Sequence, residues 1–368
     1  MGASTAYHLA KKGCHDIVVL EKDLLGFGAT GKSAGGIRQQ FSTEANVRIS
    51  IESVRFFENF MEELDTEIDY RQFGYLFLIT TDSEWKDFNA NVALQKRLGV
   101  PVELLSREQV KELAPYLWVD DVIGGTFCPT DGYADPHCVV MGLAKGARRL
   151  GVKFHEKTAV REIRVQDGKV LGVVTSEGEI SAPVIVNAAG PWAGQVGQMA
   201  GVQVPVNPYR RQIFVTAPFD ELPQKLPVII ESATSFYFRR EGPGILMGMS
   251  DEQEPSSFNT NVDWEFLTRV VERAVTRAPV LEKAGFMDGW AGSYEITPDR
   301  NPIIDCNIGG IQGFHCAAGF SGHGFMQGPA VGRIMADLIL GREPGVDLGA
   351  FAFDRFQKGQ LTAEQRVI

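Results

Sequence analysis

An acid, a cation and three glycine-rich stretches carry the chemistry legible in this chain. Met1 to Lys12 reads as a helix opening on small residues and ending at Gly13, and Asp16 to Leu20 reads as a short buried strand with Glu21 at its tip. Glu21 stands 19 positions after Gly2. That is close to the roughly 20 that separate the last glycine of a dinucleotide-binding turn from the acid that takes the ribose hydroxyls. A second stretch, Gly26 to Phe41, holds five glycines and four other small residues and ends near a cation, Arg38. Such a loop cannot pack a core; it lets backbone lie against a flat or phosphorylated ligand. A third, Phe320-Ser321-Gly322-His323-Gly324-Phe325, runs into a helix over 326–341 whose positive end would face the loop's contents.

The elements that must position these groups follow from periodicity and punctuation. An amphipathic helix is expected from Thr43 or Glu44 to about Glu63, a strand over 74–80, helices over 83–98 and 106–114, an extended run over 122–127, and a helix from Pro136 to Leu150. Extended runs over 152–156 and 158–163 precede two strands around the turn Asp167-Gly168. Ala182 to Trp192 reads as an apolar strand entering a small-residue turn, and a helix then reaches about Ala200. Residues 204–250 are strand-rich, as in an antiparallel sheet, and a helix over 263–278 crosses over. Residues 284–296 and 301–305 look extended, and 310–319 is a strand ending in small residues. Dinucleotide-type elements thus sit at both ends of the chain, so two domains must interleave.

The class is bounded by composition. With 368 residues the chain exceeds one typical core. Its net charge of −10 leaves no broad cationic surface for nucleic acid. No apolar run reaches the roughly 18 residues of a membrane span, and the first residues lack a signal-peptide pattern, so a cytoplasmic location is expected. The five cysteines, widely spaced and without a CxxC pair, predict free thiols and neither a metal site nor a disulfide framework.

Four ordered stretches, GASTAYHLAKKG…VVLEK, GATGKSAGGIRQQF, VNAAGPWAG and WAGSYEITPDRNPIID…AAGFSGHGF, resemble the D-amino-acid oxidase (DAO) family of FAD-dependent amine oxidoreductases. Within it the chain is similar to the sarcosine oxidase β subunit, the sarcosine and dimethylglycine dehydrogenases and the L-proline dehydrogenase β subunit. The resemblance implies an α/β Rossmann-like FAD-binding domain interleaved with an α+β substrate domain built on a large antiparallel sheet. The corresponding division is 1–66, 136–200 and 284–345 for the first, and 67–135 and 201–283 for the second. It implies Gly2 at the pyrophosphate, Glu21 at the adenosine ribose, Gly28, Ala29, Thr30 and Ser33 along the flavin, and Lys22, Ala34 and Gly35 among the cofactor-binding residues. Val160 is placed at the adenine, with Ala188, Ala189 and Gly190 beneath the cofactor and Trp192 also cofactor-binding. Gly292, Gly322, His323, Gly324, Phe325 and Met326 are placed near the isoalloxazine. Arg38 aligns with the arginine that pairs with the substrate carboxylate, and Tyr294 with a tyrosine near flavin and substrate.

Three departures sharpen the expectation. Two further glycines and a strand would lie upstream of Met1, so Met1 is read as an internal methionine of a longer natural chain. Gly292 stands where monomeric sarcosine oxidases tether FAD through cysteine, which predicts non-covalent FAD. The strand Gly244 to Ser250 has no lysine of the kind that promotes reaction with oxygen beside the flavin, and a second, carboxylate-binding lysine is replaced by Met326. The resemblance therefore implies a dehydrogenase more than an oxidase. It would move hydride from a secondary or tertiary amino acid such as sarcosine, dimethylglycine or proline to flavin N5 and pass electrons to another carrier or a partner subunit. Two other roles stay open: a FAD-binding assembly factor without turnover, and an electron-transfer β subunit. A nicotinamide-dependent dehydrogenase is disfavoured by the C-terminal block.

Overall fold

An apolar seam on the first helix, Gly2–Lys11, buries Ala6, Tyr7, Leu9 and Ala10. In the computed structural model, which describes residues 1–364, that helix packs on Gly324–Ile339 from the other end of the chain. The packing is intimate because position 332 is glycine: a Cβ there would lie 2.1 Å from Ser4 Oγ. Both ends of the chain thus build one layer, as the interleaved reading requires.

Beside these helices lie short parallel pairings. Val18–Leu20 runs parallel to Lys153–His155, and Ile185–Asn187 runs parallel to Phe314–Ala318. Ile303–Asp305 pairs antiparallel with the other edge of Phe314–Ala318. The expected turn at Asp167-Gly168 is present, with both residues at positive φ. It joins two strands of a three-stranded antiparallel sheet, Val160–Gln166, Lys169–Thr175 and Gly178–Ser181.

The second layer is an eight-stranded sheet. Its order is Phe286–Ile296, Asn207–Thr216, Gly244–Met249, Tyr237–Glu241, Val228–Glu231, Tyr75–Ile79, Gly124–Cys128 and Glu103–Ser106. Here the expectation of an antiparallel sheet needs correction: the sheet is mixed, because Val228–Glu231 and Tyr75–Ile79 run parallel. Two antiparallel blocks meet along this pair. Every residue of both strands is buried, as in strands covered on both faces. Phe286–Ile296 lies within the 284–345 stretch, yet it forms the edge of this sheet. One face of the sheet buries Leu76, Ile229, Phe238 and Ile245 against Phe266, Val270 and Ala274 of the helix Trp264–Arg277.

The helix expected to run on to Glu63 is interrupted. It ends at Glu58 and resumes as Phe60–Leu64 after Asn59, whose ψ is 12°. The Asn59 side chain donates to the Arg55 carbonyl at 2.7 Å, a local bond that competes with helix continuation. The apolar period continues through Phe60 and Leu64, so periodicity alone does not reveal the break. The five cysteines are free thiols. No helix among the described residues is long and apolar enough to cross a membrane.

A buried ion cluster ties Trp264–Arg277 to the sheet. Arg277, fully buried, donates from Nε to Glu231 at 2.9 Å and pairs through its two terminal nitrogens with Asp121 at 2.8 and 2.9 Å. Removing one partner of a buried pair leaves the other charge uncompensated. Arg277→Ala is expected to destabilise the fold by about 3–5 kcal/mol, read as a lowered denaturant midpoint; an unchanged midpoint refutes the role.

Candidate active site

Where the two layers meet there is a cleft. The glycine-rich loop supplies Ser33, Ala34, Gly35 and Arg38 to its wall, the edge strand supplies Tyr294, and the last helix start supplies Gly322, His323, Phe325 and Met326. Nine of the residues read from sequence therefore converge on one place. The sheet adds Tyr75, Tyr237 and Arg239.

Glycine is required at two positions lining the cleft, 36 and 322. A Cβ on Gly36 would stand 1.9 Å from Tyr75 Oη, so the loop can lie against the sheet only without a side chain. Gly322, at φ +94°, lets the Tyr294 ring approach to 2.6 Å of the missing Cβ. Gly36→Ala must displace a buried tyrosine from the cleft, and overpacking of this kind costs about 1–3 kcal/mol. A lowered thermal midpoint is the expected reading, and a midpoint equal to the parent's counts against the close approach.

The cleft is cationic. The Arg38 side chain is buried, stacks on Phe41 at 4.1 Å and donates through Nη1 to the Gln40 carbonyl. Burial lowers its pKa, opposed chiefly by Glu364. Arg239 donates from Nε to the Ala34 carbonyl at 2.8 Å, pairs with half-exposed Glu241 at 2.6 Å and lies 4.3 Å from the Tyr133 ring centre. Behind Tyr294, the Arg211 guanidinium lies 5.3 Å from the ring centre. Burial pushes Tyr75, Tyr237 and Tyr294 upward, so all three present neutral hydroxyls. Among the described residues, no aspartate or glutamate lines the cleft. Below it, Asp131, pushed up to about 6 by burial, accepts from the Gln39 backbone at 2.9 Å and from the Gln39 and Gln40 amides at 3.1 Å each. These bonds pin the segment that carries Arg38.

The other residues read from sequence lie outside the cleft. Gly2 sits at the first helix start, where its missing Cβ would be 3.7 Å from Ala188. The Glu21 carboxylate accepts the Asp23 N–H at 2.8 Å and is raised by burial. Lys22 Nζ stands 3.4 Å above the Trp192 ring. Gly28 and Ala29 precede the short turn of helix Thr30–Lys32, and Val160 opens the strand Val160–Gln166. Asn187 holds the Ala188-Ala189-Gly190 turn by accepting from Ala189 N–H at 3.3 Å and donating to the Ala193 carbonyl at 2.9 Å. Gly292 abuts Lys32, whose Cβ would be 2.9 Å from any Cβ added there. Gly324 begins the last helix.

Sequence reasoning missed Tyr75, Tyr237, Arg239 and Glu295. Alternation along a strand places Tyr237 and Arg239 on one face, but only the sheet shows that this face meets the cleft and that Arg240 is spent on the Phe219 and Pro223 carbonyls. Glu295 is the residue next to Tyr294. Its Oε2 is fully buried and accepts no hydrogen bond, beside the Gly190 turn and the Gly324 helix start. An orphaned oxygen among glycine turns and helix starts is what a hydroxyl-rich, phosphorylated cofactor would satisfy, so the residues present fit FAD.

A split parallel layer bearing an acid-tipped strand, roofed by a large sheet over a cationic cleft, is a dinucleotide-binding arrangement. The chain belongs to the DAO family, FAD dependent oxidoreductase, whose model matches residues 1–338. It is 32% identical to rat mitochondrial dimethylglycine dehydrogenase over 98% of this chain and 44% of that protein. It is 31% identical to human mitochondrial sarcosine dehydrogenase over 97% of this chain and 40% of that one. The chain thus spans less than half the length of these relatives. Among solved structures, L-proline dehydrogenase from P. horikoshii superposes with a TM-score of 0.91 at 35% identity, covering 98% of this chain and 96% of the other.

Proposed function

We propose that this protein, with FAD bound, oxidises the C–N bond of a secondary or tertiary amino acid of the sarcosine, dimethylglycine or proline kind, as a dehydrogenase. The observation that carries the reading is a cleft walled by Arg38 and Arg239 and lined, among the described residues, by no aspartate or glutamate, in a chain whose net charge is −10. When bound, FAD supplies the two-electron acceptor; the chain's own residues do the rest. Arg38 holds the substrate carboxylate through its planar fork, strengthened by the dry aromatic surroundings of Phe41. Tyr294 and the neutral tyrosines of the sheet desolvate and orient the amine, so a strong base is unnecessary if it binds unprotonated.

Toward the cofactor, the helix starts at Gly2 and Gly324 would face anionic oxygens, Glu21 the ribose hydroxyls, and the Ala188–Gly190 turn and Trp192 its underside. The crowding at Gly292 leaves no room for a tethering side chain, in keeping with non-covalent binding. The interleaved domain division follows the same reading. Electrons then leave to an external carrier or a partner subunit. The test is anaerobic mixing of the FAD-loaded protein with sarcosine, dimethylglycine and L-proline. Bleaching of the flavin band by at least one supports the reading. Bleaching by none of a broad panel of amino acids refutes it in favour of an assembly role.

A further inference from the structure

Glu295 follows Tyr294 on the edge strand and leaves it on the opposite face. Its carboxyl ends where three backbone segments converge. Oε1 lies 3.4 Å from the place a Cβ would take on Gly324, and Oε2 lies 3.3 Å from that place on Gly190. The Met1 α-amine, heading the first helix, acts on it electrostatically. The backbone N–H groups of Gly319 and Phe320 favour its charged form, against burial, which opposes it more strongly, and the helix start at Gly324 lies beside it.

Yet Oε2 receives no donor. A buried carboxylate with an unsatisfied oxygen is costly to keep ionised. The titratable groups around it do not offset this. On the first helix the Met1 amine is itself lowered by burial. On Phe314–Ala318 the Cys316 thiol is pushed up, first by burial and then by Glu295. Tyr294, beside it in the strand, is neutral, and His323 precedes Gly324. Burial pushes Glu295 up to about 7.

Resting on the FAD reading above, we propose that Glu295 binds the dinucleotide as a neutral acid, its Oε2–H donating to a cofactor oxygen, so that FAD binding above neutrality takes up one proton from solvent at this side chain. The physical reason is that a pyrophosphate dianion and a carboxylate cannot both stay ionised in one water-poor groove. Below pH 7 the acid already carries its proton and affinity is level. Above it, each pH unit adds up to a tenfold cost in affinity until the bound-state pKa is reached.

The test is titration of the apoprotein with FAD, followed by flavin fluorescence, at pH values from 6.5 to 8.5. It is paired with calorimetry at pH 8 in two buffers of different ionisation enthalpy. The wild-type dissociation constant is expected to rise by about tenfold or more across that range, with net proton uptake. Glu295→Gln, whose amide donates without titrating, should show a level profile and bind more tightly than wild type at pH 8.5. A level wild-type profile without proton uptake overturns the proposal, as does an unaltered pH profile in the glutamine variant. Because the calorimetry needs wild type alone, a variant that misfolds does not block the decision. Failure of wild type to bind FAD at any pH defeats the parent reading as well, and is recognised by the absence of any titration.

Discussion

Replacing Arg38 with alanine is expected to raise KM for carboxylated amines roughly thirty- to a thousandfold while leaving the flavin absorbance unchanged. The magnitude follows from truncating one partner of a desolvated charge pair, worth about 2–4 kcal/mol, at 1.36 kcal/mol per tenfold. Arg38 suits the role because its surroundings hold it still: the Phe41 ring under the guanidinium, the Gln40 carbonyl on Nη1, and the adjoining Gln39 and Gln40 fixed on Asp131. Arg38→Lys keeps the charge but loses the planar fork and the stacking, so it should recover only part of the loss. A substrate without a carboxylate supplies the control, because its KM should not move. If KM for the amino acids stays at the wild-type value, Arg38 is not in the substrate site. Arg239→Met is the companion measurement; the Glu241 partner already tempers the Arg239 charge, so its effect should be smaller.

What could be read in the sequence and what could not divides along the range of the interactions involved. The first helix, the strand that ends before Glu21, the loop that ends near Arg38 and the start of the last helix are written in short-range signals: glycine clusters, apolar runs and an acid at a fixed distance. The convergence of Ser33, Tyr294 and His323 on one cleft was therefore legible once those blocks were placed together. The parallel joint between Tyr75–Ile79 and Val228–Glu231 was not, because both are continuous apolar runs and nothing local states which way a neighbour runs. Arg239 stayed hidden for a related reason. Two adjacent arginines look alike in sequence, and only the sheet decides that Arg239 reaches the cleft while Arg240 is consumed by loop carbonyls. Glu295 gave no signal beyond being an acid between a tyrosine and an isoleucine. Its meaning comes from Gly190 and Gly324, far away in the chain, closing around it.

With substrate present, an artificial dye should reoxidise the protein at least about ten times faster than oxygen does, and a single substitution should narrow that gap. Leu246 marks the place for that substitution. It lies directly across from Arg239 in the sheet and packs with Ala34 and Tyr237, on the side of the sheet that faces the cleft. Its side chain is almost wholly buried, and among the described residues no lysine lines the cleft. Electron transfer to oxygen builds negative charge on a small molecule, and a fixed cation beside it is worth on the order of a hundred- to a thousandfold. Leu246→Lys should therefore raise the oxygen rate per bound flavin by about that factor, whereas Leu246→Met, of similar size and no charge, should leave it unchanged. The gain should also depend on pH in a defined sense. Burial and the neighbouring Arg239 both disfavour a second ammonium, so the introduced lysine titrates below its usual range. Its effect is then present at low pH and fades as pH rises through that lowered value. Stopped-flow reoxidation across pH 6 to 9 reads both features at once. A wild-type protein that already turns over faster with oxygen than with the dye defeats the dehydrogenase assignment outright. A lysine variant with no gain at any pH shows instead that the oxygen rate is set elsewhere than beside Leu246.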